Sequence, residues 1–133
     1  PMPAPDIARA LAAFPETAGV AEPFLRQWEA GETTLRFPNL TAEIVLGDAR
    51  ETLAGWEGKA DAWFLDGFSP AKNPELWSPG IMTEVARHTA PGGTFATYTA
   101  AGHVRRALAD AGFTVTRAPG FGRKRHMTTG LMP

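Results

Sequence analysis

"DAWFLDGFSPAKNPELW", residues 61–77, decides how this chain is read. Ala62 to Leu65 is a short unbroken apolar run, the pattern of a strand covered on both faces. The remainder is rich in proline and polar residues, which interrupt regular structure. Asp66 stands at the junction. Phe68, Lys72, Asn73 and Trp77 follow it, at the place where an open parallel sheet offers a crevice to a ligand.

Outward from this stretch, helices and strands alternate. Upstream, Ala42 to Leu46 reads as another strand, with Gly47 and Asp48 directly beyond it and a short helix over 49–55. Downstream, residues 78–90 read as a helix. "PGG" at 91–93 then punctuates before "TFATYTA" (94–100), a third core strand. Residues 101–113, "AGHVRRALADAGF", form an amphipathic helix with Val104, Ala107, Leu108 and Ala111 on one side and Gly112 at its end. "FTVTRAP" (113–119) and "RHMTTGLM" (125–132) are two further strands around the loop "GFGRKR" (120–125).

Alternation of this kind implies an α/β fold with a mostly parallel sheet. The last two strands have no room for a crossover between them, so that pair is antiparallel. Asp48 and Asp66, each following a strand, are expected on one edge of the sheet. The first forty residues read as helical. Asp6 is placed to cap a helix carrying Ile7, Ala10, Leu11 and Phe14. A second helix, from Thr17 or Pro23 to about Glu29, carries Phe24, Leu25 and Trp28 and ends at Gly31.

A length of 133 residues allows one domain at most. The absence of cysteine excludes disulfides and thiolate metal sites. His88, His103 and His126 show no ligand spacing, so no metal is expected. No run approaches the roughly eighteen apolar residues of a membrane span, and no signal pattern opens the chain. The plain reading is a soluble cytoplasmic protein. The net charge of −1 hides an asymmetry. Arg105, Arg106, Arg117, Arg123, Lys124 and Arg125 face only Asp110 beyond residue 100. A basic C-terminal third suits an anionic partner, nucleic acid among the candidates, or a solvated polar face.

Residues 61–77, "PGGTFATYTAAGHVRRALADAGF" and "GFGRKRHMTTGLM" resemble the methyltransferase domain of the tRNA 5-methylaminomethyl-2-thiouridine enzymes, from about Ala42 to Met132. The resemblance implies a Rossmann-like, class I methyltransferase sheet, with S-adenosylmethionine as cofactor and tRNA as partner. The implied reaction methylates the aminomethyl nitrogen at C5 of wobble (2-thio)uridine. It implies Asp66 as the catalytic carboxylate, also in contact with the cofactor. Gly47, Asp48 and Ala49 would lie at the cofactor, with Asp48 accepting the adenine amine. Phe68, Lys72, Asn73, Arg123, Lys124 and Arg125 would meet RNA. FAD enters only if a flavin oxidoreductase domain is fused in the parent chain or acts as a partner.

The family opens with a strand, a Gly-rich turn and a helix, then a second strand ending in an acid. Neither strand is found here, and Gly120 to Gly122 lies too late to replace the turn. Residues 1–133 are therefore expected to be the C-terminal part of one methyltransferase domain, truncated at the N-terminus. In the family those two strands occupy the middle of the sheet. Without them the strand at Ala42–Leu46 loses its neighbours and the strand at Ala62–Leu65 becomes an edge.

The residues themselves leave alternatives open. Asp66 reads equally as a turn residue, and Asp48 as a helix cap. Trp77 reads as an anchor of the Pro-rich loop, and Phe68 as anchor or base contact. Tyr98 can face the pocket or the helix layer, and the basic triplet can be a solvated hairpin tip. At the level of function, the alternatives are a non-catalytic RNA- or partner-binding fragment and a small-molecule methyltransferase.

Overall fold

The computed structural model describes residues 1–133. The chain divides into two compact units, Pro1–Gly47 and Asp48–Pro133.

The first unit holds α1 (Ala4–Leu11), a 3-10 turn (Pro15–Thr17), α2 (Ala18–Glu29) and a hairpin of β1 (Thr34–Phe37) and β2 (Leu40–Glu43). Asp6 does not cap α1. The cap position is Pro3, and Asp6 lies in the first turn, where it pairs with Arg9 and meets the positive end of the helix. Gly31 follows α2 with φ +77°, as a residue free of a Cβ allows.

The hairpin corrects the strand expected at Ala42–Leu46. Leu40–Glu43 pairs antiparallel with Thr34–Phe37 across Pro38 and Asn39. Ile44 N–H reaches Thr33 O at 2.7 Å, and Val45 and Leu46 lie past the ladder. Local pairing across a two-residue turn needs no crossover, so it forms in preference to a distant parallel strand. Gln27 closes one edge, accepting Arg36 N–H at 2.7 Å and donating to Arg36 O at 3.2 Å. Asp48 therefore does not follow a strand of the main sheet.

The second unit holds α3 (Ala49–Thr52), β3 (Ala60–Phe64), a 3-10 turn (Pro74–Trp77), α4 (Pro79–Arg87), β4 (Thr89–Thr97), α5 (Gly102–Asp110), β5 (Thr114–Pro119) and β6 (His126–Leu131). The strand order is β3-β4-β6-β5. β3 and β4 are parallel, and β6 is antiparallel to both β4 and β5, so three strands share one direction and the last opposes them. The strand β4 begins at Thr89, ahead of the expected start, and runs through the PGG stretch. That stretch forms an irregularity, with the register passing from Ala60↔Thr89 to Ala62↔Thr94. Gly92 there adopts φ +76°.

Ile81, Met82 and Val85 of α4 pack with Val104, Ala107 and Leu108 of α5 around Phe95 and Phe113. These two rings meet edge to face, with centroids 4.9 Å apart. β3 is an edge strand, the place the sequence reading expected for it. Only one of its faces is covered, against expectation. Trp63 and Leu65 pack on the core, whereas Ala62 and Phe64 alternate to the other side and Phe64 is 86% exposed.

Candidate active site

The site begins where the β3–β4 ladder stops. Leu65 N–H donates to Ala96 O at 2.9 Å, one residue past the end of β3, and Asp66 is the next residue. It stands at the carboxyl end of two parallel strands, the edge at which such sheets hold ligands. Asp66 is exposed and takes part in none of the ion pairs.

The loop after it is held by its own backbone. Gly67 O accepts the Tyr98 hydroxyl at 2.5 Å, and Phe68 O accepts Trp77 Nε1–H at 2.7 Å. Ser69 O accepts the N–H groups of Lys72 and Asn73 at 2.8 and 3.0 Å. A side chain at Gly67 has no room, because a Cβ there would lie 2.3 Å from the Leu76 side chain. Two consecutive carbonyls are thus pinned by aromatic donors, one just past the end of β4 and one in the 3-10 turn. Trp77, 2% exposed, anchors the loop as one sequence reading held.

Two cavities meet at this loop, and Asp66, Gly67 and Leu76 line both. One, of ≈ 250 Å³, is apolar, with Ala49, Leu53, Trp63 and Met82 among its walls. The other, of ≈ 640 Å³, is a wider cleft in which Lys72, Asn73 and Tyr98 bring polar groups to a largely apolar lining that includes Phe68. The four residues Asp66, Phe68, Lys72 and Asn73 are therefore brought together. Tyr98 joins them on the cleft side, which resolves its ambiguity.

Asp48 sits elsewhere in role. Its Oδ1 accepts the Arg50 backbone N–H at 2.9 Å, which caps α3. Both oxygens also take Arg50 Nε–H at 3.0 Å, and Oδ2 takes Nη2 at 2.5 Å. These side-chain bonds, then the backbone bond, pull the Asp48 carboxyl down to about 2. Little acceptor capacity is left over. Its neighbour Ala49 lines the apolar cavity with Asp66. Gly47, with φ +152°, ends the first unit.

Arg123, Lys124 and Arg125 lie exposed in the β5–β6 turn. Lys124 Nζ stands 5.0 Å over the Tyr98 ring, which links that turn to the cleft. His88 is buried, its Nδ1 2.9 Å from Gly58 O and its ring against Trp56. Sequence reasoning missed Leu76, Arg50 and the Tyr98 contacts. Only Arg50 left a signal, as a cation two residues beyond a capping Asp.

A family model described as S-adenosyl-L-methionine-dependent methyltransferase matches residues 15–133. The tRNA 5-methylaminomethyl-2-thiouridine biosynthesis bifunctional protein MnmC of Chromohalobacter salexigens is 48% identical over 134 residues, covering 98% of this chain and 19% of its own length. The protein of the same name from Pseudomonas aeruginosa strain PAO1 is 47% identical over 135 residues, covering 98% of this chain and 21% of itself. The crystal structure of MNMC2 from Aquifex aeolicus superposes with a TM-score of 0.72 at 32% identity, over 84% of this chain and 36% of that one. The chain spans about a fifth of the length of these curated relatives.

The residues present fit one side of that cofactor. The apolar cavity suits a flat heteroaromatic ring, and the Asp66 carboxylate suits a cationic sulfonium. For the amino-acid end, no Gly-rich turn feeding a helix N-terminus lies beside these cavities.

Proposed function

As this chain belongs to the family of S-adenosyl-L-methionine-dependent methyltransferases, we propose that it methylates the aminomethyl nitrogen at C5 of wobble (2-thio)uridine in tRNA, giving 5-methylaminomethyl-2-thiouridine. Residues 1–133 are then the C-terminal part of one methyltransferase domain. The names of the relatives at 47–48% identity support the substrate. The observation that carries the reading is the position of Asp66, shared by an apolar cavity and a wider cleft that presents Lys72, Asn73 and Tyr98. Asp66, Ala49 and, once Arg50 releases it, Asp48 are the cofactor contacts proposed, together with Gly47. Phe68, Lys72, Asn73, Arg123, Lys124 and Arg125 are the RNA contacts proposed.

The cofactor, when bound, supplies a methyl group made electrophilic by its sulfonium. What the chain adds is placement. An alkyl amine has a pKa of about 10.4, so it is mostly ammonium at neutral pH. A nearby carboxylate favours that charged form, so Asp66 does not generate the free amine. Its part is to accept one N–H of the neutral amine and aim the lone pair. Once the methyl group was transferred the nitrogen would be cationic, and Asp66 would receive its departing proton, directly or through water. Phe68 offers a ring to the exposed base, and Lys72 a charge to phosphate.

The relatives are named bifunctional. The partner proposed for this chain is a flavin oxidoreductase domain, fused or separate, and FAD would bind only there. A cytoplasmic location follows from the tRNA substrate, and no helix is long and apolar enough to cross a membrane. One observation favours the alternative, a non-catalytic RNA- or partner-binding fragment: Asp48 is already occupied by Arg50. Labelled methyl transfer by the intact protein separates the two. Label recovered on the C5 aminomethyl nitrogen of the wobble base supports the enzyme. RNA binding without any transfer supports the alternative.

A further inference from the structure

The β5–β6 turn carries more than charge. Phe121 is 92% exposed, more than any other large apolar side chain in the protein. Gly120 and Gly122 flank it, and the three cations follow directly.

The turn is closed by its own bonds. Gly120 N–H donates to Arg125 O at 3.2 Å, and Lys124 N–H to Phe121 O at 3.1 Å. A Cβ on Gly120 would fall 2.1 Å from Lys124 O. Gly122 adopts φ +58°, a left-handed conformation that favours glycine. Both glycines are therefore needed for the tight turn that leaves the Phe121 ring in solvent. Lys124 lies over the Tyr98 ring, and the Tyr98 hydroxyl holds the carbonyl next to Asp66. Three residues of chain span at most about 11 Å. The exposed ring is thus within a few nucleotides' reach of the wider cleft.

A flat apolar face beside guanidinium groups matches the chemistry of single-stranded nucleic acid. Bases stack on aromatic rings whatever their identity, and cations follow the phosphates. Duplex bases, already stacked, offer such a ring nothing. Resting on the tRNA-methylation reading, we propose that Phe121 is a stacking platform for an unpaired base of the substrate RNA, beside the base being modified. Lys124 ties the turn to Tyr98, and Arg123 and Arg125 meet phosphate.

The test compares two RNAs on the intact protein: a stem with its unpaired anticodon loop, and the same stem extended as continuous duplex. Phe121→Ala is expected to weaken loop binding roughly tenfold, with duplex binding and the salt slope unchanged. Phe121→Trp is expected to restore loop binding. Arg123→Ala combined with Arg125→Ala is expected to weaken both RNAs and to flatten the salt slope by about one per lost phosphate contact. Equal loop affinity for Phe121→Ala and the parent overturns the proposal, as does an equal loss on loop and duplex. The readout is binding, so the two proposals fail separately. Methyl transfer with no effect of Phe121→Ala on loop binding overturns the stacking alone. A Phe121-dependent preference for the loop without any methyl transfer overturns the enzymatic reading alone.

Discussion

Asp66 and Asp48 show how two like residues at similar places acquire different work. Asp66 is followed by a glycine that admits close packing against Leu76, and its carboxylate is left facing two cavities. Asp48 is followed two residues on by Arg50, which takes both of its oxygens. Its carboxyl, pulled down to about 2, lies below the ordinary value of about 3.9. The stabilisation from this pair is then complete above about pH 4 and is lost as pH falls through about 2. Carboxyl-carbon NMR titration is expected to give a midpoint near 2 for Asp48, rising toward 4 in Arg50→Ala. The same midpoint in both proteins contradicts the assignment of Arg50 as the cause. The position of Asp66 was legible in the sequence because an apolar run announces where a strand ends. The cap by Asp48 was legible as well, but its full occupation was not, because the side-chain conformation that lays the Arg50 guanidinium on both oxygens leaves no trace in a sequence pattern.

The elements that set the site are the β3 end, the pinned loop and β4. Tyr98→Phe removes only the hydroxyl that holds Gly67 O, and keeps the ring under Lys124. Such a bond contributes about 1 kcal/mol. The variant is expected to lose several-fold in kcat with the KM for tRNA little changed, since the loop carrying Asp66 loosens and the RNA-facing turn stays anchored. A rise in KM with kcat unchanged would place Tyr98 in binding instead. Packing makes a second demand at Gly130, the register partner of Phe95. A Cβ there would lie 2.1 Å from the Phe95 ring, which is buried in the core. Gly130→Ala is expected to destabilise by about 1–3 kcal/mol in denaturant titration, and an unchanged midpoint would contradict it. The parallel β3–β4 pair and the antiparallel β6 were readable from connection lengths. The β1–β2 hairpin was not, because Thr34–Phe37 and Leu40–Glu43 are each four residues, too short for either to show its period. The open face of β3 also escaped reading. An apolar run states that a strand can be covered on both sides, not that it is.

On the scale of the whole molecule, charge and the proposed substrate are compatible. The residues beyond position 100 carry a basic excess on a near-neutral chain, and the family model runs through both compact units. If RNA is the partner, its affinity is expected to fall steeply between low and physiological salt, in proportion to the phosphates met. A flat salt dependence would contradict a phosphate-led interface. The strand order of the larger unit ends in a parallel edge whose carboxyl end presents Asp66. Everything proposed about chemistry converges on that side chain. The decisive measurement is single-turnover methyl transfer by the intact protein to tRNA bearing the aminomethyl group, comparing the parent with Asp66→Ala. A fall of about a hundredfold or more is expected, with Asp66→Asn between the two. Equal rates for Asp66→Ala and the parent would contradict it.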